Sequence, residues 1–88
     1  MTVAISPVFR SFTKEQSSAI NSITVDGTDV VITYHSNADK AYAFTCTESY
    51  AQFLSDLLTN DAMLQNVSIG STIADGRKMD ELKQTTIW

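Results

Sequence analysis

The spacing of hydrophobic positions changes twice along this chain. Over residues 19–25, Ile23 and Val25 fall on one side of an extended segment and Ser22 and Thr24 on the other. Period two marks a half-buried strand. Residues 29–35 are rich in β-branched side chains, and residues 40–46 set Tyr42, Phe44 and Cys46 against Ala41, Ala43 and Thr45. Asp26-Gly27 is a hairpin signal, read here as a type I′ turn with positive φ at both central positions. Ser36-Asn37-Ala38-Asp39 supplies the next, polar turn. Short connections favour an antiparallel meander, with Val30, Ile32 and Tyr34 sharing the core face with Tyr42, Phe44 and Cys46.

The period then lengthens. Tyr50, Phe53, Leu54, Leu57 and Leu58 recur at i, i+3, i+4, i+7 and i+8, the stripe of an amphipathic helix. The helix is expected over 48–59, with Thr45-Cys46-Thr47-Glu48 at capping-box spacing and Thr47 as a second candidate cap. Asn60-Asp61 should break it, and 61–65 add a further turn. Residues 66–76 admit two readings. The alternation of Val67, Ile69, Ser71 and Ile73 suggests a fourth strand turning at Asp75-Gly76; a loop followed by helix is the other. Residues 77–84 read as a short helix with Met79 and Leu82 inward, and 85–88 as an extended tail. At the other end, Val3 and Ile5 alternate, then Ser6-Pro7 resembles a cap and first helical position. Ile5, Val8, Phe9 and Phe12 have helical spacing, so a short helix is expected near 6–14, with Arg10 and Lys14 side by side on its outer face.

These elements define the fold class as α+β: a twisted antiparallel meander of three or four strands packed by one amphipathic helix. A small SH3- or Sm-like barrel is the alternative if 67–73 or the tail closes the sheet. All 88 residues belong to one domain, divided into an arm (1–16), a core (17–76) and a C-terminal helix and tail (77–88). Ten serines and eleven threonines suit strands, caps and turns better than a helical bundle. A chain this short buries about 63% of its exposable surface, a narrow margin that favours self-association.

Charge and chemistry narrow the function. The net charge is −4, which repels phosphate and opposes non-specific nucleic-acid binding. The single cysteine, Cys46, excludes an intramolecular disulfide. The first twenty residues show no basic region followed by an apolar one, and no apolar run approaches membrane-spanning length. The expected compartment is the cytoplasm, or a host cell's cytoplasm for a virus-encoded chain, with no membrane partner. One His and one Cys, on opposite sheet faces by period-two counting, make a metal site unexpected, and no cofactor motif is present. Gly70 and Gly76 enclose five residues where a phosphate-binding loop has four, and no Lys-Ser/Thr pair follows. There is no nucleophile elbow, and His35 is the only candidate general base, read as an exposed turn residue. No enzyme activity is expected.

Two features rise above this background. Tyr34, Tyr42 and Phe44 could stack bases if uncovered, with Arg77 and Lys78 supplying charge. Core packing is the plainer role for the rings. Val3, Ile5, Phe9 and the terminal Trp88 could seat on a second copy. The run Ser18-Ala19-Ile20-Asn21-Ser22-Ile23-x-x-Asp26, then a strand pair, Tyr42-Ala43-Phe44, a helix and Ser68-Ile69-Gly70-Ser71, resembles the KTSC domain. That module occurs at the end of some lysyl-tRNA synthetases and as single small bacterial and phage proteins. The match spans about 17–76; the family's Tyr-x-Tyr corresponds to Tyr42-Ala43-Phe44, where the second hydroxyl is missing. The resemblance implies no catalysis and suggests RNA binding by analogy. The expected function is therefore a small non-enzymatic interaction or assembly module that forms homo-oligomers, with RNA or single-stranded nucleic-acid binding as the alternative.

Overall fold

Every strand of the sheet lies beside its neighbour in sequence. The computed structural model describes residues 7–87. Five strands, β1 (Val8–Ser11), β2 (Ile20–Asp26), β3 (Asp29–Tyr34), β4 (Asn37–Thr45) and β5 (Lys83–Ile87), form an antiparallel sheet in the order β1-β2-β3-β4-β5. The helices α1 (Glu48–Thr59), α2 (Asp61–Asn66) and α3 (Ile69–Lys78) intervene between β4 and β5. The sheet is an open meander with β1 and β5 at its edges, not a barrel.

The core follows from the pleat. Val30 faces Phe44, Ile32 faces Tyr42 and Ile23 faces Ile32 across the ladders; Ile23, Val30, Ile32 and Phe44 are buried, and Tyr34, Tyr42 and Cys46 pack at their margin. Ile20 and Ile23 are three apart, yet both are buried. A register shift between Ile20 and Ser22 restores the parity. α1 lays Ala51, Leu54, Leu57 and Leu58 on this face. Phe53, expected in the stripe, is instead 43% exposed, because the buried arc is centred between Leu54 and Leu58 and Phe53 falls on its flank. Thr47 is the cap, its hydroxyl accepting from Tyr50 N–H at 3.2 Å. Asn60 ends α1 and caps α2.

The turns differ in detail from expectation. Asp26 pairs with Asp29, so Gly27 and Thr28 are the central residues. Of the two only Gly27 has positive φ, +63°, which is the type II′ pattern and not type I′. The next turn is His35-Ser36, and β4 begins at Asn37, three residues before the expected strand, because Tyr34 pairs with Asn37.

Two expectations are corrected, and one open choice is decided. Residues 8–11 are a strand, not part of a helix over 6–14. A helix of so few residues is marginal alone, whereas the edge of β2 offers a ready ladder, and Val8 and Phe9 suit a pleated surface. Of the two readings of residues 66–76, the loop followed by helix holds: α2 ends at Asn66 and α3 begins at Ile69. Ile69 and Ile73, four apart, satisfy both periods, but burial of Ile69, Ile73 and Gly76 is helical, and Ser68 caps the first turn by accepting from Ser71 N–H. The helix expected over 77–84 ends at Lys78. Leu82 is buried as anticipated, while Met79 is 72% exposed. The tail then becomes β5, giving five strands where three or four were expected. Val3, Ile5, Ser6 and Trp88 lie outside the described residues.

The stop after Lys78 is a Schellman motif. Glu81 N–H donates to Gly76 O at 2.8 Å and Asp80 N–H to Arg77 O at 3.3 Å. Asp80 occupies the left-handed position usually held by glycine, φ +60°. Asp80→Gly is therefore expected to raise stability by about 1 kcal/mol, read from urea unfolding. In the same assay Leu57→Ala is expected to cost about 2–5 kcal/mol and Phe53→Ala less than about 1 kcal/mol. Equal losses at 53 and 57 would contradict the packing described.

Candidate functional site

The residues singled out for stacking converge at one end of the sheet. Tyr34 and Tyr42 meet edge to face, ring centroids 5.4 Å apart and planes at 78°. Ladder geometry produces the contact: β3 and β4 carry both rings on the helix-covered face, and the bulge between Thr33 and Tyr34 shifts Tyr34 toward the turn. From the last turn of α3, Arg77 reaches back to them. Its guanidinium lies 5.3 Å from the Phe44 ring centroid and its Nη1 donates a long bond of 3.4 Å to Tyr34 Oη. Phe44 is only 1% exposed and has a cation on its face, so it offers no ring to a base. Tyr34 and Tyr42 remain half-buried, and Arg77 and Lys78 are exposed. This grouping clasps the end of α3 to the sheet and leaves parts of two phenol rings accessible.

A second cluster gathers at the opposite end. Cys46 Sγ donates to Thr28 O at 3.5 Å. Burial, then the negative charges of Asp29 and Glu81, push its thiol up from the ordinary range, which disfavours the nucleophilic thiolate. Tyr50 Oη is buried with no hydrogen-bond partner among the described residues. Burial first, then the Cys46 thiolate, Glu81 and Asp75, raises its pKa as well. The phenol is admitted by Gly76: a Cβ there would overlap Tyr50 Oη and lie 2.9 Å from its Cζ. Gly76 is thus a packing position on α3, and not the turn expected from Asp75-Gly76.

His35 stands in the β3–β4 turn, far from Cys46, which follows the other end of β4. It is half-buried, not the freely exposed turn residue expected, and its Nε2 is buried without a partner among the described residues. Among the described residues no three His, Cys, Asp or Glu side chains converge as metal ligands, and no helix is long and apolar enough to cross a membrane.

One side chain that sequence spacing misassigned is a structural hub. Arg10, expected beside Lys14 on an exposed helix face, projects from β1 under α1. Its Nη1 donates to Leu58 O at 3.1 Å and lies 2.6 Å from Asp61 Oδ1. α1 has no basic residue in its last turn, so Arg10 supplies the cation that end favours, while Asp61 supplies the anion favoured at the start of α2. Arg10 and Asp61 also border a cleft of about 520 Å³ with Phe12, Leu64 and Ile69. The cleft exists because α2 buries none of its residues.

Among the described residues no element covers the sheet face away from the helices. Phe9 pairs with Thr24 and Thr24 with Val31, and Val31 faces Ala43, so one row crosses four strands. A shallow depression of about 410 Å³ lies among Thr24, Val31, Ala43 and Thr85. Phe9 is 63% exposed. Of the side chains expected to mediate self-association, it alone falls within the described residues.

No family model, curated protein or solved structure matches this chain; the resemblance to the KTSC family rests on its short motifs.

Tyr50→Phe removes a buried, unpartnered hydroxyl, so it is expected to leave stability unchanged or raise it by about 1 kcal/mol. Because the folded state favours neutral Cys46 and Tyr50, their contribution is complete below about pH 9 and declines as pH rises through the raised folded values. Tyr50→Phe should flatten this alkaline loss, measured by urea unfolding across pH 8–11; an unchanged slope would contradict the assignment.

Proposed function

We propose that this chain is a small non-enzymatic interaction module that assembles with copies of itself. The carrying observation is the asymmetry of the sheet. Three helices and the large buried side chains occupy one face, while the row Phe9, Thr24, Val31, Ala43 lies uncovered on the other. Among the described residues both edge strands also lack a strand partner on their outer sides. Exposed rings beside unpaired strand edges favour association. Separation of His35 from Cys46, and a thiol held protonated, support a role without catalysis. The unpaired cysteine supports a cytoplasmic setting.

A second reading, binding of RNA or single-stranded nucleic acid, is favoured by one observation: Tyr34 and Tyr42 sit half-exposed beside Arg77, next to Lys78. It ranks below the first because Arg77 already engages Phe44 and Tyr34 and the chain carries −4.

Sedimentation equilibrium of the full chain and of a chain lacking Trp88 tests the first reading. A concentration-dependent oligomer is expected, and monomer alone up to high micromolar concentration in both would overturn it. Single-stranded RNA binding at low salt that is lost on Tyr42→Ala would favour the second reading.

A further inference from the structure

Self-association requires a mating surface, and the backbone register of β1 identifies one. Phe12 N–H donates to Asn21 O at 2.8 Å, and the register from Val8↔Val25 to Ser11↔Ser22 runs into that pair without a slip. Along an antiparallel ladder, residues that exchange backbone bonds with the neighbouring strand alternate with residues whose N–H and C=O point away. Phe12 is bonded, so Arg10 and Val8 are bonded too. Phe9 and Ser11 therefore direct their backbone groups out of the sheet.

The two edges are not equally defended. β5 carries Lys83, and its pairing slips between Ala43 and Phe44. An edge lysine and an irregular register both discourage further strand addition. β1 is regular, and its single charge, Arg10, is turned toward the helices and engaged by Leu58 O and Asp61. Exposed Phe9 stands on the opposite face.

We propose that two copies of this chain pair antiparallel through β1 about a twofold axis at Phe9. Each Phe9 N–H donates to the Phe9 carbonyl of the other copy, and the two five-stranded sheets continue as one of ten. This rests on the self-association reading and names its surface. Charge and bonding select the register among the three that the outward groups at 9 and 11 allow. Pairing 9 with 11 sets Arg10 directly opposite Arg10, a like-charge contact. Pairing 11 with 11 sets Phe9 against Thr13, whose N–H is already given to Gln16 Oε1 at 2.9 Å. Pairing 9 with 9 sets Arg10 against Val8 and brings the two Phe9 rings together on the uncovered face. Because the same edge is used by both copies, the interface closes as a dimer and does not propagate. Pro7, lacking an N–H, limits the ladder at its outer ends.

Phe9→Pro tests the proposal, since it deletes an outward N–H and none that faces β2. Sedimentation equilibrium is expected to show a dimer for the unaltered chain and for Gln84→Lys on the β5 edge, and a monomer for Phe9→Pro with unchanged circular dichroism. Phe9→Lys, which opposes two cations at the axis, is expected to be monomeric as well and keeps the test informative if the proline variant misfolds. A dimer retained by a folded Phe9 variant would overturn this interface while leaving self-association through another surface. Loss of the dimer in Gln84→Lys would move the interface to β5, and an unaltered chain that never dimerises would overturn both readings.

Discussion

The contact between α1 and the row of Ile23, Val30, Ile32 and Phe44 governs what else this chain can do. Leu54, Leu57 and Leu58 dry one face of the sheet, and in 88 residues there is sequence for only one such layer. Ile69 and Ile73 of α3 and Leu82 just before β5 extend it, and Arg77 pins the end of α3 across Phe44. The large buried apolar side chains of the described residues are gathered on that side. The opposite face carries the Phe9 ring with Thr, Ser, Val and Ala side chains, and Asp26 and Asp29 at the β2–β3 turn.

That asymmetry bears on function. A sheet with a single helical layer has two strand edges and a free face, and its aromatic side chains become partners for packing and not platforms for ligands. The stacking candidates show this directly: Phe44 has become core, Tyr34 and Tyr42 lean on each other, and the nearby cation is spent on holding α3. Among the described residues, Phe9 and the outward backbone of β1 are left without an internal partner.

Much of this was legible in the residues, and the failures share a cause. The period of Leu54, Leu57 and Leu58 locates α1 to the residue because a long stripe has one solution. The β-branched run at 29–34 locates β3 for the same reason. Short segments are different. Ile69 and Ile73 fit a strand or a helix, since a separation of four belongs to both periods, and only their common burial decides. Val8, Phe9 and Phe12 imitate a helix because the neighbour that would reveal them as a strand, β2, is a tertiary partner. Arg10 could not be recognised as a link between β1, α1 and α2, because its contacts lie 48 and 51 positions away in sequence. Of the candidate residues, the convergence of Tyr34, Tyr42 and Arg77 was partly foreseeable from alternation on β3 and β4; the unpartnered phenol of Tyr50 in the notch left by Gly76 carried no sequence signal.

The strand order also has a temporal side. β1 to β4 can assemble by successive hairpin closures, each joining segments adjacent along the chain, whereas β5 reaches β4 only after residues 46–82 have been traversed. Closing so long a segment costs entropy that grows slowly with its length, and the helices inside it shorten the effective span once they have condensed on the sheet. The last strand is thus the one whose docking depends on the most prior order.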